Sequence, residues 1–219
     1  MCLGLSFSAY RFFQLLLALS LALFIICFAI EVTLLFTPLY YADIQLLNIA
    51  EQSGINRARI IENYNYMIQY LLNPFPQVFD LPSLHYSMAG KIHFQDVKRI
   101  FVFIDFLLVV TGIISAAGIW VKTKNRDFYF LKPAAVALAI FTVVPLIAFA
   151  IDFNGTFILF HKLFFRNNYW IFDPRTDPVI TILPETFFLH AALLILGIIG
   201  LGIITLILIY KKNKQKVFR

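Results

Sequence analysis

Residues 93–121 read HFQDVKRIFVFIDFLLVVTGIISAAGIWV. The run opens on polar and charged side chains, His93, Gln95, Asp96, Lys98 and Arg99, and from Ile100 onward carries one charge, Asp105. About 20 consecutive apolar residues are what an α-helix needs to cross ~30 Å of hydrocarbon. The stretch therefore marks a polar segment turning into a membrane span. A helix beginning near Lys91 puts His93 and Asp96, three apart, on one face. That face lies at about the depth where lipid headgroups meet hydrocarbon.

Three more runs reach spanning length, so the spans fall at 12–36, 100–121, 133–151 and 187–210. Hydrophobic residues make up 61% of the chain, against about 45–50% in soluble domains. The reading is an all-α membrane protein of four transmembrane helices. Residues 1–219 form a single membrane domain, and outer segments 38–99 and 153–186 cap it at the membrane surface. Periodicity adds little inside the spans, because a helix surrounded by lipid and other helices is apolar all round. The first span is too long for a signal-peptide core and lacks an Ala-x-Ala exit, so it reads as an uncleaved anchor.

Four spans put both termini on the side of the 122–132 loop. That side holds Arg11, Lys122, Lys124, Arg126, Lys132, Lys211, Lys212, Lys214, Lys216 and Arg219 against one acid, Asp127. The other side is balanced between bases and acids. The basic side is expected to be cytoplasmic. The net charge of +6 is then a topology signal and a contact for anionic headgroups, and nothing resembles a nucleic-acid module. Cys2 and Cys27 lie on the inner side and within the first span, so the outer segments carry neither a disulfide framework nor a thiol catalyst.

The outer segments are too long and too apolar to be plain connectors. Apolar positions 60, 61, 64, 67, 68, 71 and 72 predict a helix over 55–72, after Ser53-Gly54 and before Asn73-Pro74, with Arg57 and Arg59 on its first turns. Three prolines in 74–82 predict an extended loop, and the cap leaves room for short strands. Residues 157–166, FILFHKLFFR, are too apolar for water and too short to span, hence an interfacial or re-entrant helix carrying His161. Tyr169-Trp170 suits the headgroup belt. Phe157, Phe164 and Trp170 either line an acyl groove or pack; Arg57 and Arg59 suit headgroups.

His85, His93 and His161 all fall on the outer side, and His190 sits in the first turn of span four near it. Haem ligation needs facing histidines within the spans, and none is at mid-membrane. Zinc needs three or four convergent ligands; there is no His-Glu-x-x-His. The Gly-x-Ser-x-Gly elbow is absent. What remains is histidine acid–base or nucleophilic chemistry at a membrane surface, with Asp96 placed to fix a tautomer.

These residues carry a resemblance. His93-x-x-Asp96-Val97-Lys98 before span two is similar to the motif of the bacterial lipoprotein intramolecular transacylases. So are Phe160-His161, Phe164-Phe165-Arg166-Asn167-Asn168-x-Trp170, Phe172-Asp173-Pro174, Asp177-x-Val179-Ile180 and Leu183-Pro184-Glu185-x-Phe187-Phe188 in the second outer segment. The similarity covers the whole chain; Phe94 departs where methionine is expected.

The resemblance implies a bacterial cell-membrane enzyme whose substrate is a diacylglyceryl-modified lipoprotein. It moves the sn-2 acyl chain to the α-amino group of the modified cysteine, with its active site on the extracellular face. It implies His161 as base on the amine and His93 as acid or oxyanion donor, or the reverse, with Asp96 orienting His93. Asp152 is a weaker candidate to orient His161, and His85 stands in reserve for His93. No cofactor is required; membrane lipid is the other partner. The competing reading is a non-enzymatic four-span scaffold that binds a partner through its outer loops.

Overall fold

The structure, a computed structural model, describes residues 7–217. Cys2, Arg219 and the Lys216 side chain lie outside the described residues. The regular structure of the described residues is all helix, with no strand: α1 (Phe7–Leu35), α2 (Thr37–Leu46), α3 (Ile49–Ser53), α4 (Arg57–Leu72), α5 (Met88–Lys124), α6 (Leu131–Phe164), α7 (Val179–Ile182) and α8 (Glu185–Val217). Four of these, α1, α5, α6 and α8, are long and apolar enough to cross a membrane. At 37 residues, α5 is about 55 Å long at 1.5 Å per residue. Its apolar stretch from residue 100 on is enough to span, and the three turns before it project beyond.

Helix boundaries follow local chemistry. Span one ends just before Pro38, at Leu35, and Pro38 lies in the first turn of α2, where its missing N–H is no loss. Asn48 and Gly54 take left-handed φ of 49° and 66°, turning the chain on either side of α3 in the conformation that favours these residue types. The α4 stripe is realised, starting two residues later than the 55–72 expected from Ser53-Gly54. Asn56 is the cap, its side-chain oxygen accepting from Arg59 N at 2.9 Å. The room left for strands is taken by α2 and α3, and 74–82 is irregular chain as its prolines require.

In α6 the helix breaks at Asp152 (φ −158°, ψ 99°). Its carboxylate accepts from Gly155 N at 2.9 Å, so the break is also the N-cap of the piece that carries His161. The third apolar run and the helical piece that carries His161 are thus one element with a capped kink.

Two compact units emerge. Among the described residues, one comprises 7–31, 105–147 and 195–217; the other 32–104 and 148–194. In the first, Leu17, Ala18, Leu21 and Ala22 of α1 pack with Ala134, Ala135 and Leu138 of α6 and Ile199 of α8. Small residues let helix backbones approach, as membrane packing demands. Glu31 is buried there with Oε1 unpartnered. The second unit has its own core, in which Tyr40 stacks on Tyr64 at 3.7 Å and Phe79 on Phe94 at 4.4 Å. It contains the site.

Candidate active site

His93 enters from the first turns of α5, which are anchored at their start. The Asp177 carboxylate accepts from Ser87 N at 2.8 Å, and Ser87 Oγ accepts from Gly90 N at 2.9 Å. His161 enters from the far piece of α6. The two imidazole centroids lie 6.1 Å apart, so the structure brings together the pair singled out in the sequence. Phe165 packs 4.8 Å and Phe172 5.3 Å from His93. Phe157 packs 4.2 Å and Trp170 4.8 Å from His161. Two imidazoles therefore share a box of aromatic rings.

The two rings differ in what holds them. His161 Nδ1 is 2.7 Å from the Phe157 carbonyl. A carbonyl only accepts, so Nδ1 carries the proton and the neutral ring presents Nε2 with its lone pair free. His93 is 7% exposed, and its Nδ1 is buried without a hydrogen-bond partner. Burial pushes the His93 pKa down to about 4, the neighbouring His161 adding to the shift and Asp96 opposing it. Burial also lowers His161, opposed by its bond to Phe157. Both rings are neutral at neutral pH: His161 as an oriented acceptor, His93 as a ring with a donor to spare.

Asp96 makes no hydrogen bond to His93. One oxygen accepts from Asn167 Nδ2 at 3.0 Å and the other from Arg99 at 2.7 Å. The carboxylate thus clamps the turn after α6 to α5 instead of fixing a tautomer. Asn167 also turns its own Oδ1 to Tyr169 N at 3.0 Å, so one side chain sets the turn that delivers Trp170 against His161. In the sequence Asn167 stands only as part of the Phe164-Phe165-Arg166-Asn167-Asn168-x-Trp170 motif, with no role attached to it.

The remaining candidates divide. Phe157 lines the site, as does Trp170, whose Nε1 is buried and unpartnered. Phe164 is half exposed and packs on Phe160 at 4.6 Å. Asp152 caps its helix and does not reach His161. Arg57 is exposed, and Arg59, also exposed, donates to the Ser83 carbonyl at 2.5 Å. His85 is exposed and donates to the Arg175 carbonyl at 3.0 Å. His190 donates through Nδ1 to Asp43, at 2.8 and 2.9 Å to its two oxygens. That is a separate pair, 147 residues apart in sequence and not visible there.

A model of the lipoprotein intramolecular transacylase family, Lit, matches residues 15–188. The in meso structure of the membrane integral lipoprotein intramolecular transacylase Lit from Bacillus cereus is similar, with TM-score 0.91 and 36% identity, over 94% of this chain and 96% of that one. Two structures of the same Bacillus cereus protein with one histidine replaced, by arginine and by alanine, each give TM-score 0.84 at 36% identity. They cover 94% of this chain and 92% and 94% of theirs. The comparison with curated protein sequences gives no match. A family model over most of the length, and a solved relative alike from end to end, set aside the non-enzymatic scaffold: the chain belongs to the lipoprotein intramolecular transacylases and is a multi-pass membrane enzyme.

Proposed function

We propose that the enzyme transfers the sn-2 acyl chain of a diacylglyceryl-cysteine lipoprotein to the α-amino group of that cysteine by acid–base catalysis at the His93–His161 pair. The observation that carries this is the His161 tautomer: Nδ1–H held by the Phe157 carbonyl, Nε2 free, inside an aromatic box that also contains His93. An α-amine has a pKa of about 7.7–8.0, so the amine must shed a proton to attack an ester. The ammonium proton leaves to solvent first, and His161 Nε2 takes a second proton from the nitrogen as the N–C bond forms. The tetrahedral adduct then expels the sn-2 glyceryl oxygen, which receives the proton from His161. The N-acyl, S-monoacylglyceryl product has the mass of the substrate.

His93, with its pKa pushed down to about 4, is a poor proton carrier. Its part is that of a neutral N–H donor to the adduct or the departing oxygen. Amine and ester belong to one molecule, so holding them together supplies much of the rate. The aromatic side chains receive the lipid, and Arg57 and Arg59 meet headgroups. Both termini face the cytoplasm of a bacterial cell membrane, by the charge asymmetry of the loops, and the site opens on the extracellular face.

Mass spectrometry of a lipoprotein N-terminal peptide tests this in cells that cannot otherwise N-acylate it. Wild type converts the diacylglyceryl form to an N-acylated lyso form of unchanged mass; His161→Ala and His93→Ala, at equal membrane levels, leave it unconverted. A free amine persisting with folded wild-type enzyme sinks the reading.

A further inference from the structure

Two oxygens need a donor in acyl transfer, the attacked carbonyl oxygen and the departing glyceryl oxygen, and a neutral His93 has one N–H to give. Charge develops on the oxygen of the attacked carbonyl, and a preorganised donor must be aimed at it. The donors around His161 can be checked one by one. His161 Nδ1–H is held by the Phe157 carbonyl. The Asn167 amide is held by Asp96. Tyr169 N donates to Asn167 Oδ1 and Ile171 N to the Asn168 carbonyl. Trp170 Nε1–H is held by nothing, yet its nitrogen is buried. An indole N–H can only donate, and leaving such a donor enclosed and unpaired is costly. Here it is retained on a ring packed 4.8 Å from His161 at a 32° tilt, on a turn that Asn167 ties to α5.

We propose that Trp170 Nε1–H is the oxyanion donor: it hydrogen-bonds the carbonyl oxygen of the ester under attack and holds the charge that forms there. The inference rests on the acyl-transfer reading. An amine bonded to His161 Nε2 sits about 2.6–3.2 Å from it, and the attacked carbon about 3–3.5 Å beyond. That brings the carbonyl oxygen alongside a ring packed on the imidazole. The assignment also releases His93 from the oxyanion: its spare N–H serves the departing glyceryl oxygen. Electron flow is unchanged: the N–C bond forms, the C–O bond breaks, and the oxygen at Trp170 gains charge in the adduct and returns to a carbonyl in the amide.

The test removes the N–H and keeps the ring. The enzyme is made with β-(3-benzothienyl)alanine at position 170, in which sulfur replaces the indole N–H, and also as Trp170→Phe. Conversion of a synthetic diacylglyceryl lipopeptide is followed in detergent for kcat and KM. Both replacements are expected to lower kcat about 10²- to 10³-fold, with KM within about threefold of wild type and an unchanged melting temperature for the sulfur isostere. An isostere within threefold of wild-type kcat, or a loss confined to KM, overturns the oxyanion role and leaves the acyl-transfer reading standing. A wild-type enzyme that fails to convert the lipopeptide overturns both.

Discussion

Cutting the Asp96 clamp asks whether the turn carrying Trp170 is held from α5. Asp96 has two partners of unequal weight. Arg99 is 77% exposed at its side chain while Asp96 is 19% exposed, so their ion pair is worth about 0–1 kcal/mol. The bond from Asn167 crosses 71 residues of sequence and is charge-assisted in a half-buried setting, worth about 1.5–3 kcal/mol. Asn167→Ala and Asp96→Ala should therefore each cost about 1.5–3 kcal/mol, and Arg99→Ala at most about 1 kcal/mol. Activity should suffer more than stability, since displacing a catalytic constellation by about 1 Å costs on the order of 100-fold. The assay is lipopeptide conversion and thermal unfolding of the three single variants and both double-mutant cycles. Coupling of Asp96 with Asn167 should exceed ~1 kcal/mol, and that of Asp96 with Arg99 should stay below ~0.5 kcal/mol. The reasoning fails if Arg99 couples as strongly as Asn167, or if Asn167→Ala keeps wild-type kcat.

The depressed His93 pKa fixes a pH dependence. The unfolded ring titrates near 6.5 and the folded ring at about 4, so between those values the unfolded chain holds more protons. Stability is then full above pH 6.5 and falls as pH drops toward 4, by up to about 3 kcal/mol. Melting temperatures in detergent at pH 7 and 4.5 should show this fall in wild type and a smaller one in His93→Phe. Once the titration of the substrate amine, at about 7.7–8.0, is divided out of kcat/KM, the acid limb that remains should sit below pH 6.5, because burial lowers both histidines and activity needs His161 neutral; a remaining limb above 6.5 contradicts the assignment. At Gly90, an added methyl would fall inside the radius of Asp177 Oδ1, the acceptor for Ser87 N. Gly90→Ala should cost about 1–3 kcal/mol by calorimetry, and less than additively when combined with Asp177→Ala.

The spans were legible because hydrocarbon thickness imposes a length on any apolar run, whatever its partners. The α4 stripe was legible for the same local reason, its buried face recurring at helical spacing. Pro38 was ambiguous because proline suits a first helical turn as well as a break, and only the packing of Tyr40 and Ile44 into the core decides for helix. At the site, residue type and topology sufficed for His93 and His161, since two titratable rings at one interface are chemically conspicuous. Asp96 is legible as the polar neighbour of His93 on one helix face, but its hydrogen-bond partner is not. That partner, Asn167, and the Asp43–His190 pair each join distant segments through a side-chain hydrogen bond. No local periodicity records such a bond.

Because Phe157, Phe165, Phe172 and Trp170 wall in the two imidazoles, solvent competes poorly for the acyl group. An activated ester beside a general base is ordinarily hydrolysed. Here the nucleophile that reaches it is the one tethered to the same glycerol. On this reading the ring of aromatics is what makes the protein a transferase rather than a lipase, and opening it, as with Phe165→Ser, would be felt first as leakage of free fatty acid.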